Sequence, residues 1–171
     1  SAAMSDSLFH APGHDHQSCV TASRLAAERV VRRRGQQWTD PRRRVFGVLT
    51  RAHRAMGAYE IRDILEGDGA PLKPMSIYRA LDFLVGQGLA HRVQRLNAFV
   101  ACGHLHEGEV EAGHGAQLLI CRDCGTVAEL EDPEVDGAIA RAAEAARFAM
   151  AEPVVEILGT CPHCRASATP Q

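Results

Sequence analysis

Two Cys-x-x-Cys pairs constrain this chain more than any other feature. CRDCG starts at Cys121 and is answered by CPHC at Cys161, with 36 residues between the pairs (125–160). Cys121, Cys124, Cys161 and Cys164 have the spacing of a four-thiolate zinc site, in which each sulfur binds at ~2.3 Å and two knuckles complete a tetrahedron. The glycine after Cys124 suits a knuckle turn. The interval exceeds that of a compact zinc ribbon by about a strand and a helix. The metal would therefore tie the end of a subdomain to its beginning. A single pair would leave a redox motif or disulfide as a serious rival. Two pairs, each beside an expected strand, point to structural zinc. A closed four-sulfur site has no open position, so this metal is not expected to be catalytic.

The compartment agrees with this reading. No apolar run approaches the ~20 residues of a membrane span, and the first thirty residues are polar and rich in His, without the pattern of a signal peptide. Residues 1–3, Ser-Ala-Ala ahead of Met4, have the look of a cloning scar and are expected to take no part in the fold. The expectation is a cytoplasmic protein, where paired cysteines serve metals more often than disulfides.

A net charge of −2 hides an asymmetry. From Val20 to Cys102 there are 15 Lys+Arg against 7 Asp+Glu, giving +8; from Gly103 to Gln171 there are 4 against 12, giving −8; Asp6 and Asp15 supply the rest. The basic residues cluster at Arg32-Arg33-Arg34 and Arg42-Arg43-Arg44. A basic half of this kind is expected to meet a polyanion.

The periodicity predicts four helices in the first half. Residues 4–19 lack periodicity and are expected to form a tail. Thr21 to Arg34 permits a helix. Asp40-Pro41 is expected to cap a second, with Val45, Val48, Leu49 and Ala52 on one face. Ile61, Ile64 and Leu65 mark a third, and Lys73-Pro74 opens a fourth that buries Ile77, Leu81, Leu84 and Val85. At 100° per residue Met75, Arg79 and Asp82 lie opposite that stripe, with Ser76 and Tyr78 on its flanks. This is a helix-turn-helix candidate. LAHRVQ-RLNA-FVAC then reads as a hairpin. With a turn at Arg95–Ala98, Val93 pairs with Val100 and His91 with Cys102. Helices plus hairpin make a winged helix. In the second half AQLLIC and TVAELE read as strands, Pro133 to about Phe148 as a helix with Val135, Ile139, Ala142, Ala143 and Ala146 on one side, and VVEILG as a third strand. About 55 residues of this kind need a staple or a partner.

AYEIRDIL, PMSIYRALDFLVGQGLAHRV, the hairpin ending in Cys102, LLICRDCGTVAELE and the final CPHC resemble the ferric uptake regulator family in order and spacing, from roughly residue 20 to 165. Within that family the pattern is most similar to its zinc-sensing branch. The resemblance implies an α+β protein: an N-terminal winged helix-turn-helix domain (20–102), a hinge (103–115), and a small C-terminal α/β dimerisation domain carrying the four-cysteine zinc site (116–166), between tails at 1–19 and 167–171. It implies a homodimeric, metal-responsive transcription regulator of the cytoplasm. A regulatory metal site at the hinge is implied too, formed by His91, Cys102, His114 and Glu129. That makes two zinc ions per protomer, one structural and one regulatory. Two imidazoles, a thiolate and a carboxylate suit four-coordinate zinc; the family's iron and peroxide sensors favour nitrogen and oxygen here, so a sensor of Fe or Mn is the alternative. His104 and His106 are further candidates, either replacing His114 or making a third site with Glu107, Glu109 or Glu111. Against a complete third site, Ala116-Gln117-Leu118 stand where the family has a denser His-rich motif.

For DNA, Arg79 is the candidate base reader, since a guanidinium pairs with guanine O6 and N7 in the major groove; a phosphate contact or an ion pair with Asp82 is the plainer alternative. The resemblance places Tyr59 at the DNA as well. Ser76, Tyr78 and Lys73 are candidate phosphate contacts, and Arg42, Arg43 and Arg44 would add affinity that falls with salt. A two-fold dimer is expected to read a pseudo-palindromic, A·T-rich operator. Some relatives bind as adjacent dimers joined by an acid–base pair after the Tyr59 position; Asp63 and Glu66 here put an acid in the basic partner's place. Nothing in the sequence supplies a pocket for a small-molecule substrate or a separate general base, so an enzyme, whether a thiol oxidoreductase or a zinc hydrolase, is not expected. A zinc-stabilised interaction module without DNA binding is countered by the basic winged helix. The function expected is zinc-dependent repression of zinc-uptake genes.

Overall fold

The computed structural model describes residues 8–9, 16–103, 105 and 117–167. His104, His106, His114, Glu107, Glu109 and Glu111 lie outside the described residues, as does most of the N-terminal segment.

Helix α1 (His16–Arg33) begins before the boundary expected at residue 20, so Gln17 to Cys19 are helical. Its buried stripe is Ala26, Ala27, Val30 and Val31. Small residues at i, i+1, i+4 and i+5 make a narrow face that blurs an apolar pattern in sequence. Helix α2 (Asp40–Leu49) takes Thr39 as N-cap and Pro41 in its first turn. Asp40 was the expected cap; it is instead the first helical residue, with its carboxylate 2.9 Å from Arg44 Nε. Helices α3 (Ala58–Gly67) and α4 (Pro74–Gly86) follow. Their buried residues are Ile61 and Leu65 on α3, and Ile77, Ala80, Leu81 and Leu84 on α4. These meet Val45, Phe46, Val48 and Leu49 of α2 in one core. Trp38 stands edge-on to Phe46 with ring centroids 5.7 Å apart. A fully buried side chain of this size stabilises the fold by about 1.5–3 kcal/mol. The helical three-way packing is thus held by apolar burial and leaves the outer face of α4 free.

Gly88, at φ +69, ends α4. Its N–H donates to Val85 O and that of Leu89 to Leu84 O, both at 2.9 Å. The chain then enters a hairpin, β1 (Ala90–Val93) and β2 (Ala98–Ala101). Here the expected register fails. The turn is residues 94–97: a 3-10 turn over Gln94–Leu96, closed by Asn97 at φ +46. His91 therefore pairs with Val100 and Val93 with Ala98. Cys102 lies opposite Leu89, its N–H donating to Leu89 O at 3.0 Å. Asn97 tolerates the left-handed conformation that this tight turn needs. The expected pairing was off by two residues, and strand side chains alternate with period two, so His91 and Cys102 still share a face as diagonal neighbours.

The second half is a three-stranded sheet of order β4-β3-β5. β3 (Gln117–Cys121) runs antiparallel to β4 (Val127–Leu130) and parallel to β5 (Val155–Gly159). A parallel neighbour requires a crossover, and α5 (Pro133–Ala145) lies in the connection. Asp132 caps α5 by accepting from Glu134 N–H at 2.9 Å. Of the expected apolar side, Val135, Ile139 and Ala143 are half-buried, while Ala142 and Ala146 are exposed. A short α6 (Pro162–Ser167) ends the described chain.

The halves are stitched together by residues 53–56. Met56 exchanges two backbone hydrogen bonds with Phe99 of β2, at 2.8 and 2.9 Å. Arg54 bridges to Thr126, and Val127 N–H donates to His53 O at 2.9 Å. Val93 and Val100 of the hairpin pack with Leu118, Ile120 and Val127 of the sheet, and Ala55 packs against the group. The wing thus lies against one face of the second sheet.

Candidate metal centres and nucleic-acid face

The four paired cysteines converge. Cys121 ends β3, Cys124 lies in the knuckle turn, Cys161 follows β5, and Cys164 stands in the first turn of α6. Their sulfurs lie within 4.8 Å of one another. Gly125, at φ +74, lets the first knuckle close, with its N–H 2.9 Å from Cys121 O. Cys124 Sγ and Cys161 Sγ are 3.8 Å apart. A tetrahedron with ~2.3 Å bonds has sulfur–sulfur edges of about 3.8 Å, so the donor set fits zinc. Further N–H groups point at the sulfurs: Cys161 N–H donates to Cys121 Sγ at 3.3 Å and Cys164 N–H to Cys161 Sγ at 3.4 Å. Burial opposes ionisation of Cys121, yet backbone donors from Cys161, Cys124 and Asp123 bring its thiol down to about 6. Cys164 is pushed up to about 12 by its hydrogen bond to Cys161, with desolvation and its other cysteine neighbours adding to it. The site already favours a thiolate before any metal arrives.

The second cluster sits where the two halves meet. His91, Cys102 and Glu129 offer three ligand atoms within 4.8 Å of one another. Glu129 comes from β4 of the second half, and the other two from the wing and its exit. His91 Nε2 is 2.9 Å from Glu129 Oε1, and Cys102 Sγ is 3.5 Å from Glu129 Oε2. Gly103 N–H donates to the same carboxylate at 3.1 Å. His91 is 8 % and Cys102 3 % exposed. An imidazole, a thiol and a carboxylate brought together out of water make a donor set of zinc type. Three of the four residues expected here are assembled; His114, the fourth, is outside the described residues.

The expected nucleic-acid face is the outer side of α4 and the start of α3. Arg79, Met75, Tyr78 and Asp82 are exposed on α4, and Ser76 is half-buried. Among the described residues no ion pair joins Arg79 to Asp82. Tyr59, 68 % exposed, carries the Arg62 guanidinium 5.3 Å from its ring centre, and Arg62 in turn pairs with Asp63 at 2.7 Å. Lys73 is the exposed N-cap of α4. The arginine triplet divides. Arg42 stacks 3.4 Å over the Phe83 ring of α4. Arg44 donates to Ala70 O at 3.3 Å and pairs with Asp40. Arg43, exposed, reaches Trp38 O at 3.1 Å. Arg42 and Arg44 thus brace helices inside the domain, while Arg43 projects furthest into solvent.

Sequence reasoning missed groups that anchor elements within each half and one that joins the halves. Arg54 forms a two-point ion pair with Glu60 in the first turn of α3, one contact at 3.1 Å. Its hydrogen bond to Arg54 holds the Glu60 carboxyl below its ordinary range. The segment bridging to Thr126 is thereby anchored to the helix that bears Tyr59. Gln117, 1 % exposed, donates to Asp132 O at 3.1 Å and Asp136 Oδ1 at 2.8 Å, fixing α5 to the sheet. Glu156 reaches the wing turn from β5, where Arg95 N–H donates to it at 3.0 Å. A lone carboxylate inside the apolar run VVEILG was the available signal for Glu156; the pairing of Arg54 with Glu60 had none.

Comparison with known proteins agrees with this architecture. The chain is 33% identical over 138 residues to the zinc uptake regulation protein of Escherichia coli K12, spanning 81% of this chain and 78% of that one. Among solved structures it is similar to a zinc uptake regulator complexed with zinc and DNA, with a TM-score of 0.76 and 28% identity over 91% of this chain and 98% of that one. It is also similar to holo XcZur, with a TM-score of 0.74 and 34% identity over 84% and 96% of the two chains. A model of the ferric uptake regulator family matches residues 33–158. With its winged helix, its stapled second sheet and the metal-type cluster between them, the chain belongs to the ferric uptake regulator family.

Proposed function

We propose that the protein is a zinc-responsive, DNA-binding repressor of zinc-uptake genes, acting as a cytoplasmic homodimer with zinc as corepressor. The observation that carries this is the placement of His91, Cys102 and Glu129. Two come from the wing and its exit, one from the neighbouring sheet, and all three meet within 4.8 Å. A thiol in that set favours zinc over Fe(II) or Mn(II). Zinc, when bound, supplies a four-coordinate link between the two halves; His114 is the fourth ligand in this reading. His91 and Cys102 hold the wing, Glu129 holds the sheet, and burial of the cluster excludes competing water. The relative angle of the halves then sets the spacing of the two α4 helices in a dimer. Two α4 helices at the right spacing enter successive major grooves of a pseudo-palindromic, A·T-rich operator. Arg79 reads a base there, with Tyr59, Ser76, Tyr78 and Lys73 at its margins.

The four-cysteine site has a separate role in this reading. Its zinc is structural, so each protomer carries two ions. The staple ends beside an apolar surface that a second copy would cover. Phe148 is 67 % and Val154 59 % exposed, Ile157 and Leu158 are exposed on β5, and α5 buries no residue fully. β5 is also an edge strand in the described sheet, the kind of edge that folds cover or pair. No described helix is long and apolar enough to cross a membrane.

The test is DNA binding under metal control. Duplexes selected from a random pool with zinc present should shift with the zinc-loaded dimer and be released by chelator. Equal binding with Fe(II) or Mn(II) in place of zinc would overturn the metal's identity. Binding indifferent to all metals would overturn the regulatory reading.

A further inference from the structure

Glu129 and Glu156 stand at the same level of the second sheet. Leu118 of β3 pairs with Glu129 of β4 on one side and with Glu156 of β5 on the other. Directly paired residues point to one face, and here that face carries Leu118, Ile120 and Val127 against the wing. Glu129 takes the base of the wing, at His91, Cys102 and Gly103 N–H. Glu156 takes its tip: the N–H groups of both Gln94 and Arg95 donate to its carboxylate. The dimensions agree. Two strand spacings of ~4.8 Å separate the carboxylate positions by ~10 Å, and three to four residues of strand at ~3.3 Å span a similar distance along the wing. The hairpin therefore lies across the strands, gripped at both ends, with Val93 and Val100 packed between the grips.

We propose that Glu156 is a metal-independent clasp that holds the wing tip to the second sheet, and that the regulatory metal completes a two-point attachment which the clasp begins. The inference rests on the regulatory reading above. Val93 and Val100 pack on the sheet and residues 53–56 tie Phe99 to it, but apolar contact is not directional; carboxylate grips at base and tip, about a strand-length apart, fix the angle of the wing on the sheet. The contact is stronger than its partial exposure suggests. Exposed ion pairs contribute little because two long side chains must be ordered, whereas here both donors are backbone N–H groups already oriented by a turn. Gln94 and Arg95 open the 3-10 turn, so their N–H groups lack partners within it, and a carboxylate accepting from backbone donors makes charge-assisted bonds. Clasp and metal favour the same closed arrangement. By linkage, losing the clasp must raise the zinc concentration needed to reach it.

The experiment uses full-length, zinc-stapled protein and two readings. The first is amide hydrogen exchange in a peptide covering the wing turn. Glu156→Ala should exchange at Gln94 and Arg95 roughly tenfold faster, the worth of about one charge-assisted bond, with the amides of Ile77 to Leu84 unchanged. The second is free zinc at half-maximal DNA binding, which should rise by a similar factor while zinc at the four cysteines stays at one per protomer. Should Glu156→Ala fail to fold, Glu156→Gln keeps size and one acceptor and carries both readings at smaller amplitude. Unchanged exchange at the wing turn overturns the clasp whatever the DNA binding does. Faster exchange with an unshifted zinc requirement overturns its part in regulation. If the parent's DNA binding ignores zinc, the regulatory reading fails, and with it the clasp's regulatory part; the exchange reading still decides the contact.

Discussion

His91 and Glu129 belong to different halves of the chain, yet Nε2 of one lies 2.9 Å from Oε1 of the other. Cys102 completes the cluster, 3.5 Å from the same carboxylate. Cys102→Ser should give a folded dimer that keeps the structural zinc and needs far more free zinc to bind DNA. The substitution preserves size and removes the soft ligand. Chelator-competition titration read by DNA binding checks it, and zinc dependence equal to the parent's would remove Cys102 from the sensor.

The staple should behave differently. Cys121→Ser or Cys161→Ser removes a buried ligand at the end of β3 or after β5. Metal-binding free energy is folding free energy at such a site, so the second half should lose its cooperative unfolding and the dimer should dissociate. Zinc content and sedimentation velocity are the measurements. A folded dimer with full zinc content would rule the four-sulfur site out.

Zinc loading of that site should release protons. The Cys121 thiol is lowered to about 6, so above about pH 7 it is already ionised and contributes no pH dependence. Cys164 is raised to about 12, so its proton must leave throughout the neutral range. Each displaced proton adds one unit to the slope of log affinity against pH. Affinity for the structural zinc should therefore rise between pH 7 and 8 with a slope of at least about one. Calorimetry in buffers of differing ionisation enthalpy would measure it, and a flat profile would contradict the thiol assignment.

On the nucleic-acid face the arginines should separate. Arg79→Ala should lower affinity and flatten preference at one base position per half-site, at a cost of about 1–3 kcal/mol. Arg43→Ala should weaken all sequences alike and reduce the salt slope by about one unit. Loss of affinity with an unchanged specificity ratio would move Arg79 to the backbone contacts.

Arg42, stacked on Phe83, should act on stability instead. Arg42→Ala is expected to lower unfolding free energy by about 0.5–1 kcal/mol through the lost cation–π contact. Denaturant titration against Arg43→Ala, which lacks that stack, reads the difference.

Much of this molecule follows from local rules that a sequence displays. Ile77, Leu81 and Leu84 mark the buried face of α4 because helical period alone selects it. Proline-led starts, Gly88 and the two Cys-x-x-Cys pairs mark ends and knuckles because backbone torsion and thiolate chemistry are local properties. The convergence of the four paired cysteines was legible for the same reason. The hairpin register was not, since it depends on whether Asn97 accepts a left-handed turn, a choice made by the strands it joins. Nor were the unions across the halves. Residues 53–56 pair with both Phe99 and Thr126, and Glu156 reaches Gln94 and Arg95, because folding stacks the wing on the face of a distant sheet. No periodicity encodes which strand lies across which. The sequence by itself determined the elements and the residue types of the two clusters; only the tertiary structure decided how the wing is held, because that depends on contacts some sixty residues apart whose geometry exists only once both cores are packed.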